Sequence, residues 1–282
     1  MNIKKILCPT DFSDQAYEAL LAAADLAGDY SAELLVAHVV ESLPTLLGGG
    51  NDPVAQFQEC CWQKEKEGKE LLEHLVNRRR LAKIKVKTLI EIGHPAIQIL
   101  DWAEEYEVDL IVIATHGQTG WRRALLGSVT ERIIKLTTRP VWIIQPKPPA
   151  RSLVERAFMK LRTILCPTDF SESADEALKS AASLAGDYSA ELLVAHVVES
   201  LSFVPGAVPT IEAAAVKNLE AVVERLISTK VQVRHLVKCG QPAVQIVDLA
   251  EKNEADLIVI ATHGLTGWRR ASLGSVTDRV IK

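Results

Sequence analysis

At 282 residues, with 48% hydrophobic and 24% charged side chains, the chain has the composition of a globular protein of about two domains, which excludes wholesale disorder and collagen-like repeats. Its 32 Lys plus Arg against 36 Asp plus Glu leave a net charge of −4, a poor match for a protein that grips nucleic acid by neutralising phosphates. Five cysteines without CxxC spacing fit a reducing compartment.

Met1-Asn2-Ile3-Lys4-Lys5 leads directly into an apolar strand pattern at Ile3–Cys8, with no signal-peptide stretch. No apolar run approaches the roughly 20 residues of a membrane span, so a cytoplasmic protein without membrane or nucleic-acid partners is expected. Asp14–Ala27 carries helical spacing, with Gly28 placed to end it, and Glu33–Val40 reads as a second strand. Pro53–Arg79 reads as a helix interrupted by Gly68, with Arg78-Arg79-Arg80 complementing its carboxyl end. Ile84–Ile92 alternates as a third strand, and Pro95–Tyr106 returns to helix with proline in its first turn. Asp109–Ala114 is almost wholly apolar, as expected of a strand covered on both faces. Gly127–Thr137 is helical and Val141–Ile144 is a last strand.

The series then repeats. Ile6–Ser13 recurs as Ile164–Ser171, Leu26–Leu43 is unchanged as Leu184–Leu201, and Asp109–Gly117 returns as Asp256–Gly264. Two domains follow, residues 1–147 and 160–282, joined by a proline-rich linker at 148–159. Lys282 aligns with Lys135, so the second domain lacks the counterpart of the last strand in this chain. Strands alternating with helices predict two doubly wound α/β domains with parallel sheets. The flavodoxin-like order 2-1-3-4-5 and the order 3-2-1-4-5 both fit. The second is favoured because it sets the unusual loops after strands 1 and 4 in one crevice, where ligands of open sheets bind.

After strand 4, Ala114-Thr-His-Gly117 is followed by nine residues and then Gly127-Ser128-Val129-Thr130 at a helix start. Copy 2 has Ala261-Thr-His-Gly264, nine residues, and Gly274-Ser275-Val276-Thr277. A glycine followed by hydroxyl residues there offers unpaired backbone N–H groups and the positive end of a helix dipole to a phosphate. The alternative is that Ser128 and Thr130 merely cap the helix. Neither a Walker A loop nor a GxGxxG fingerprint is present.

Cys-Pro-Thr-Asp-Phe-Ser after strand 1, Ala-His-Val-Val-Glu-Ser at the end of strand 2 and the two glycine loops resemble the universal stress proteins in their tandem two-domain form. The ATP-binding members carry G-x-x-G, nine residues, then G-[ST]. By that resemblance Gly117 and Gly264 are the second glycines, Gly127 and Gly274 the third, and Ser128, Val129, Thr130, Ser275, Val276 and Thr277 hold phosphates. Asp11 and Asp169 match the aspartate beside ribose and phosphates; Pro9, Thr10, Val39, Pro167, Thr168 and Val197 match the adenine side. The departure is the first glycine, which is Ala114 or Ala261 here. Ending a β run, these alanines are expected at negative φ, where the methyl narrows the pocket floor without strain.

The resemblance implies an ATP-binding stress-response regulator with one nucleotide per domain, divalent metal arriving with ATP, and little or no hydrolysis. A nucleotide-free scaffold and a slow ATPase or nucleotidyl-transfer enzyme are the alternatives. It also implies pairing of the two domains' fifth strands into an intramolecular pseudo-dimer, with further homodimerisation left open. From the residues themselves, no catalytic constellation and no zinc spacing emerges. His116 and His263 read as loop-packing histidines, and His38 and His196 as core histidines. Trp121-Arg122-Arg123 and Trp268-Arg269-Arg270 fit a solvated loop as well as a triphosphate contact. Asp11 and Asp169 have bracing of the turn as their alternative role.

Overall fold

The computed structural model describes residues 1–41, 53–77, 81–115, 126–145, 161–199, 208–227, 230–263 and 273–282. The chain divides into two compact units, Asn2–Met159 and Lys160–Lys282.

In the first, β1 (Lys5–Pro9), α1 (Asp14–Tyr30), β2 (Glu33–Glu41), α2 (Pro53–Val76), β3 (Lys85–Gly93), α3 (Pro95–Glu105), β4 (Leu110–Ala114), α4 (Ser128–Leu136) and β5 (Val141–Ile144) build a parallel sheet of order β3-β2-β1-β4-β5. The winding direction reverses between β1 and β4, so the loops that leave their carboxyl ends are neighbours, as the favoured order requires. Strand alternation separates two cores. Leu35, Ala37, Val39, Ile111 and Ile113 meet Ala96, Ile99, Trp102 and Ile133 of α3 and α4. The alternate residues Leu34, Val36 and His38 face the other side, which α1 and α2 cover. Cys8 is fully buried and its thiol is pushed up to about 12 by desolvation, as is that of Cys166, so both are small core hydrophobes.

The second unit repeats the plan with β6 (Thr163–Pro167), α5 (Glu172–Tyr188), β7 (Glu191–Val198), α6 (Val208–Leu226), β8 (Val233–Cys239), α7 (Pro242–Lys252), β9 (Leu257–Ile258) and α8 (Ser275–Ile281). Its sheet has four strands, in the order β8-β7-β6-β9. β9 is the edge, with no neighbour on its outer side among the described residues. It is correspondingly shorter than β4, and Ile258 is half-buried where Ile111 is fully enclosed.

Two local expectations change. Gly28 does not end α1, which continues to Tyr30. Ser31 ends it instead, at φ 53, donating its N–H to the carbonyls of Ala27 and Gly28. Gly68 does not interrupt α2. It is where the helix presses on the sheet: a Cβ there would lie 2.6 Å from Ile90 Cδ1 and 3.2 Å from His38 Cδ2. Arg78, Arg79 and Arg80 lie outside the described residues.

Candidate functional site

The loop after β1 is fixed by its own polar groups. Thr10 N–H donates to the Ala37 carbonyl at 2.8 Å, and Thr10 Oγ1 accepts from Phe12 N–H at 3.0 Å. Asp11 Oδ1 accepts from both Ser13 N–H (3.0 Å) and Ser13 Oγ (2.6 Å), while Ser13 Oγ caps α1 by accepting from Ala16 N–H. Phe12 sits at φ 64, a left-handed conformation that costs a bulky residue free energy, and its ring lies against His38 with centroids 4.5 Å apart. His38 Nδ1 is 2.8 Å from the Thr10 carbonyl. A carbonyl only accepts, so Nδ1 carries the proton. The second unit repeats this through Thr168, Asp169, Phe170 (φ 64), Ser171 and His196. Asp11 and Asp169 therefore brace the turn, and Thr10 and Thr168 are buried.

Burial lowers the pKa of His38 below 6.5, against the opposing pull of the Thr10 carbonyl and the Asp11 carboxylate. An unfolded chain then takes up the proton first. The stability contributed by the neutral ring is complete above pH 6.5 and is lost as pH falls through the folded-state pKa. Urea midpoints for the first domain are expected to fall between about pH 7.5 and 5.5, with a shallower fall in His38→Gln. Identical slopes for both proteins would remove His38 as the cause.

Across the crevice, the described part of the β4–α4 connection is anchored at both ends. Thr115 N–H donates to the Ile144 carbonyl at 3.1 Å, and Gly127 N–H donates back to the Thr115 carbonyl at 2.8 Å. Thr130 Oγ1, buried, donates to the Ala114 carbonyl at 2.9 Å, tying the first turn of α4 to the end of β4. In the second unit Gly274 N–H reaches the Thr262 carbonyl at 2.8 Å and Thr277 Oγ1 the Ala261 carbonyl at 2.7 Å. Gly127 and Gly274 adopt φ near −60, which any residue tolerates. The need for glycine is space: a Cβ on Gly274 would lie 3.1 Å from the Thr262 carbonyl oxygen.

Glu131 N–H closes on the Gly127 carbonyl, the first bond of the helix ladder. The amides of Ser128, Val129 and Thr130 precede it and have no acceptor among the described residues. Thr130 and Thr277 thus offer an amide, their hydroxyls being committed to the fold. Neither Ala114 nor Ala261 is at positive φ, so the methyl in place of the first glycine introduces no backbone strain. His263 Nδ1 is 3.0 Å from Thr262 Oγ1, and its buried Nε2 has no hydrogen-bond partner among the described residues. Gly117, Gly264, His116, Trp121, Arg122, Arg123, Trp268, Arg269 and Arg270 lie outside the described residues.

The second unit also holds a cleft of about 310 Å3 at the carboxyl ends of its strands, lined among others by Glu199 after β7, Gly240 and Gln241 before α7, and Ser275 and Arg279 of α8. Glu41, Gly93, His94, Ser128 and Arg132 hold the matching positions in the first unit, where Arg132 Nη1 lies 3.5 Å from His94 Nε2. Among the described residues no group of three or more His, Cys, Asp or Glu is placed to hold a metal, and no helix is long and apolar enough to cross a membrane.

The family model for the universal stress protein family matches residues 2–145 and again 160–282. The chain belongs to the universal stress protein family, in tandem form. A universal stress protein of Methanocaldococcus jannaschii, MJ0577, is 34% identical over 155 residues, covering 51% of this chain and 96% of the relative. A universal stress protein of Mycolicibacterium smegmatis is 24% identical over 98% of this chain and 93% of its own length. Among solved structures, a universal stress protein from Archaeoglobus fulgidus matches with a TM-score of 0.69 and 22% identity, over 98% of this chain and 92% of that one, a likeness of fold.

Of the residues read from the sequence, the universal stress protein fold brings Ala114, Gly127, Ser128, Val129 and Thr130 together at one crevice beside the turn of Pro9, Thr10 and Asp11. Val39 points into the α3–α4 core beside Val129. Sequence reading missed the cleft residues Glu199, Gln241 and Arg279. A Gly-x-Pro element recurs in both copies, as Gly93-His94-Pro95 and Gly240-Gln241-Pro242, and was the available signal; proline there otherwise reads only as a helix start.

Proposed function

We propose that this universal stress protein binds ATP, one molecule per domain, and acts through occupancy rather than turnover. The observation that carries the reading is the set of three successive amides, Ser128, Val129 and Thr130, without acceptors among the described residues at the positive end of α4. Gly274 supports it in the second domain, because the space a Cβ would fill lets the loop after β9 approach the helix start closely. The preference for ATP over another phosphorylated ligand rests on the family pattern of glycines and hydroxyl residues. Pro9, Val39, Pro167 and Val197 are assigned to the adenine side, and Asp11 and Asp169 to the sugar, by the same pattern. ATP, with its divalent metal, would supply the charge that these amides neutralise. Pairing through the edge strand β5 belongs to the same proposal.

The first glycine of the pattern is the test of that preference. Because Ala114 and Ala261 keep negative φ, Ala114→Gly with Ala261→Gly is expected to leave ATP affinity within about threefold and to cost about 0.5–1 kcal/mol of stability per site. Calorimetric titration and denaturant midpoints check both values. A large gain in affinity would show that the methyls obstruct the pocket.

A second reading, a nucleotide-free scaffold, draws on the inward commitment of Thr10, Asp11 and Thr130. Mass spectrometry of the supernatant after denaturing the purified protein separates the two. Adenine nucleotide at up to two per chain is expected, and its absence, together with no heat of binding on adding ATP, would favour the scaffold.

A further inference from the structure

The cleft of the second domain carries an arrangement that the amides of the helix start do not account for. Arg279 lies one turn along α8 from Ser275, on the same helix face, and both line the cleft. Glu199, at the end of β7, stands on another wall. Both side chains are exposed, and neither makes an ion pair or a hydrogen bond among the described residues. A guanidinium and a carboxylate that share a cleft without pairing suit a ligand that is anionic at one end and hydroxylated at the other. A guanidinium forks onto phosphate oxygens, whereas a carboxylate only accepts and repels phosphate, which fixes the direction of such a ligand.

We propose that the cleft is part of the nucleotide site of the second domain, with Arg279 binding phosphate and Glu199 accepting hydrogen bonds from the ribose hydroxyls. The inference rests on the nucleotide reading above and adds two contacts that it lacks. At about 310 Å3 the cleft holds part of a nucleotide, being at the small end of ligand pockets. The first domain differs at this point. Arg132 is drawn to His94, whereas the second domain has Gln241 in that place and Arg279 is left to meet a ligand.

The test uses the full chain carrying Gly127→Val, so that only the second domain's site is read, with calorimetric titration of ATP, adenosine and 2′,3′-dideoxy-ATP. Arg279→Gln is expected to weaken ATP roughly tenfold or more and to leave adenosine within about twofold. Glu199→Gln is expected to weaken ATP by about tenfold and to make no difference to the dideoxy nucleotide, a selectivity that a structural role does not produce. Both residues are exposed, so neither change threatens folding. ATP affinity unchanged by both substitutions but lost on adding Gly274→Val would overturn the cleft assignment and leave the nucleotide reading intact. No ATP binding by the Gly127→Val background would overturn both in this domain.

Discussion

Valine at both Gly127 and Gly274 is expected to strip the protein of adenine nucleotide, with each site losing more than about 100-fold in affinity. The backbone angles are not the obstacle, since φ near −60 and ψ near 140 suit valine. In the second domain the obstacle is the Thr262 carbonyl oxygen, 3.1 Å from where the first added carbon would lie. Gly127 donates to the Thr115 carbonyl in the same way and is expected to meet the matching oxygen. The Thr262 oxygen is a backbone atom, anchored by accepting from Gly274 N–H, so the helix start and the loop must separate. Separation displaces the amides of Ser275, Val276 and Thr277 from the loop that completes the cradle. Two or three charge-assisted hydrogen bonds at about 1.5–3 kcal/mol each account for the loss. Each single variant is expected to retain one nucleotide per chain and the double variant none, counted by mass spectrometry after denaturation. Ser128→Ala, which keeps every amide, serves as the control and is expected to retain binding. Full occupancy in the double variant would place the ligand elsewhere.

Trp102→Ala is expected to destabilise the first domain severely. Trp102 lies 4% exposed in α3, packed in one core with Leu7, Leu35, Ile111 and Ile133. Its removal takes away a large apolar surface and leaves a cavity that β2, β4 and α4 fill only by shifting, at a cost of about 3–5 kcal/mol. The midpoint of the first domain's thermal transition should fall by roughly 10 °C or more. Leu249, Trp102's counterpart in the second domain, belongs to a separate core, so the second transition should stay in place. Differential scanning calorimetry resolves the two transitions. A shift of both would mean that the domains do not unfold independently.

The sheet order was legible because two loops with unusual residues, Pro9-Thr10-Asp11 and Thr115-His116-Gly117, make sense together only when strands 1 and 4 are adjacent. Gly127-Ser128-Val129-Thr130 was legible for a similar reason: glycine followed by hydroxyl residues marks a helix start whatever surrounds it. The local rules failed where packing decides. Gly28 looked like a helix stop, but α1 is supported by the sheet for another turn and ends at Ser31. Gly68 looked like a break and is a point of close approach, which only the positions of Ile90 and His38 reveal. The role of the Thr130 hydroxyl was not legible either: it is bonded to the carbonyl of Ala114, sixteen positions earlier in the chain, a tie that local spacing does not announce. Glu199 follows β7, Gln241 precedes α7 and Arg279 lies within α8; they carry no shared spacing, and the Gly-x-Pro element marks only Gln241, so the fold alone gathers the three.

The central claim is that the amides of Ser128, Val129 and Thr130 receive a phosphate. Following those three backbone amide resonances by nuclear magnetic resonance while ATP is added to isotope-labelled protein tests it most directly. All three are expected to move downfield, saturating with the calorimetric affinity, and to stay in place when adenosine is added instead. Saturable ATP binding that leaves these resonances unmoved would contradict it.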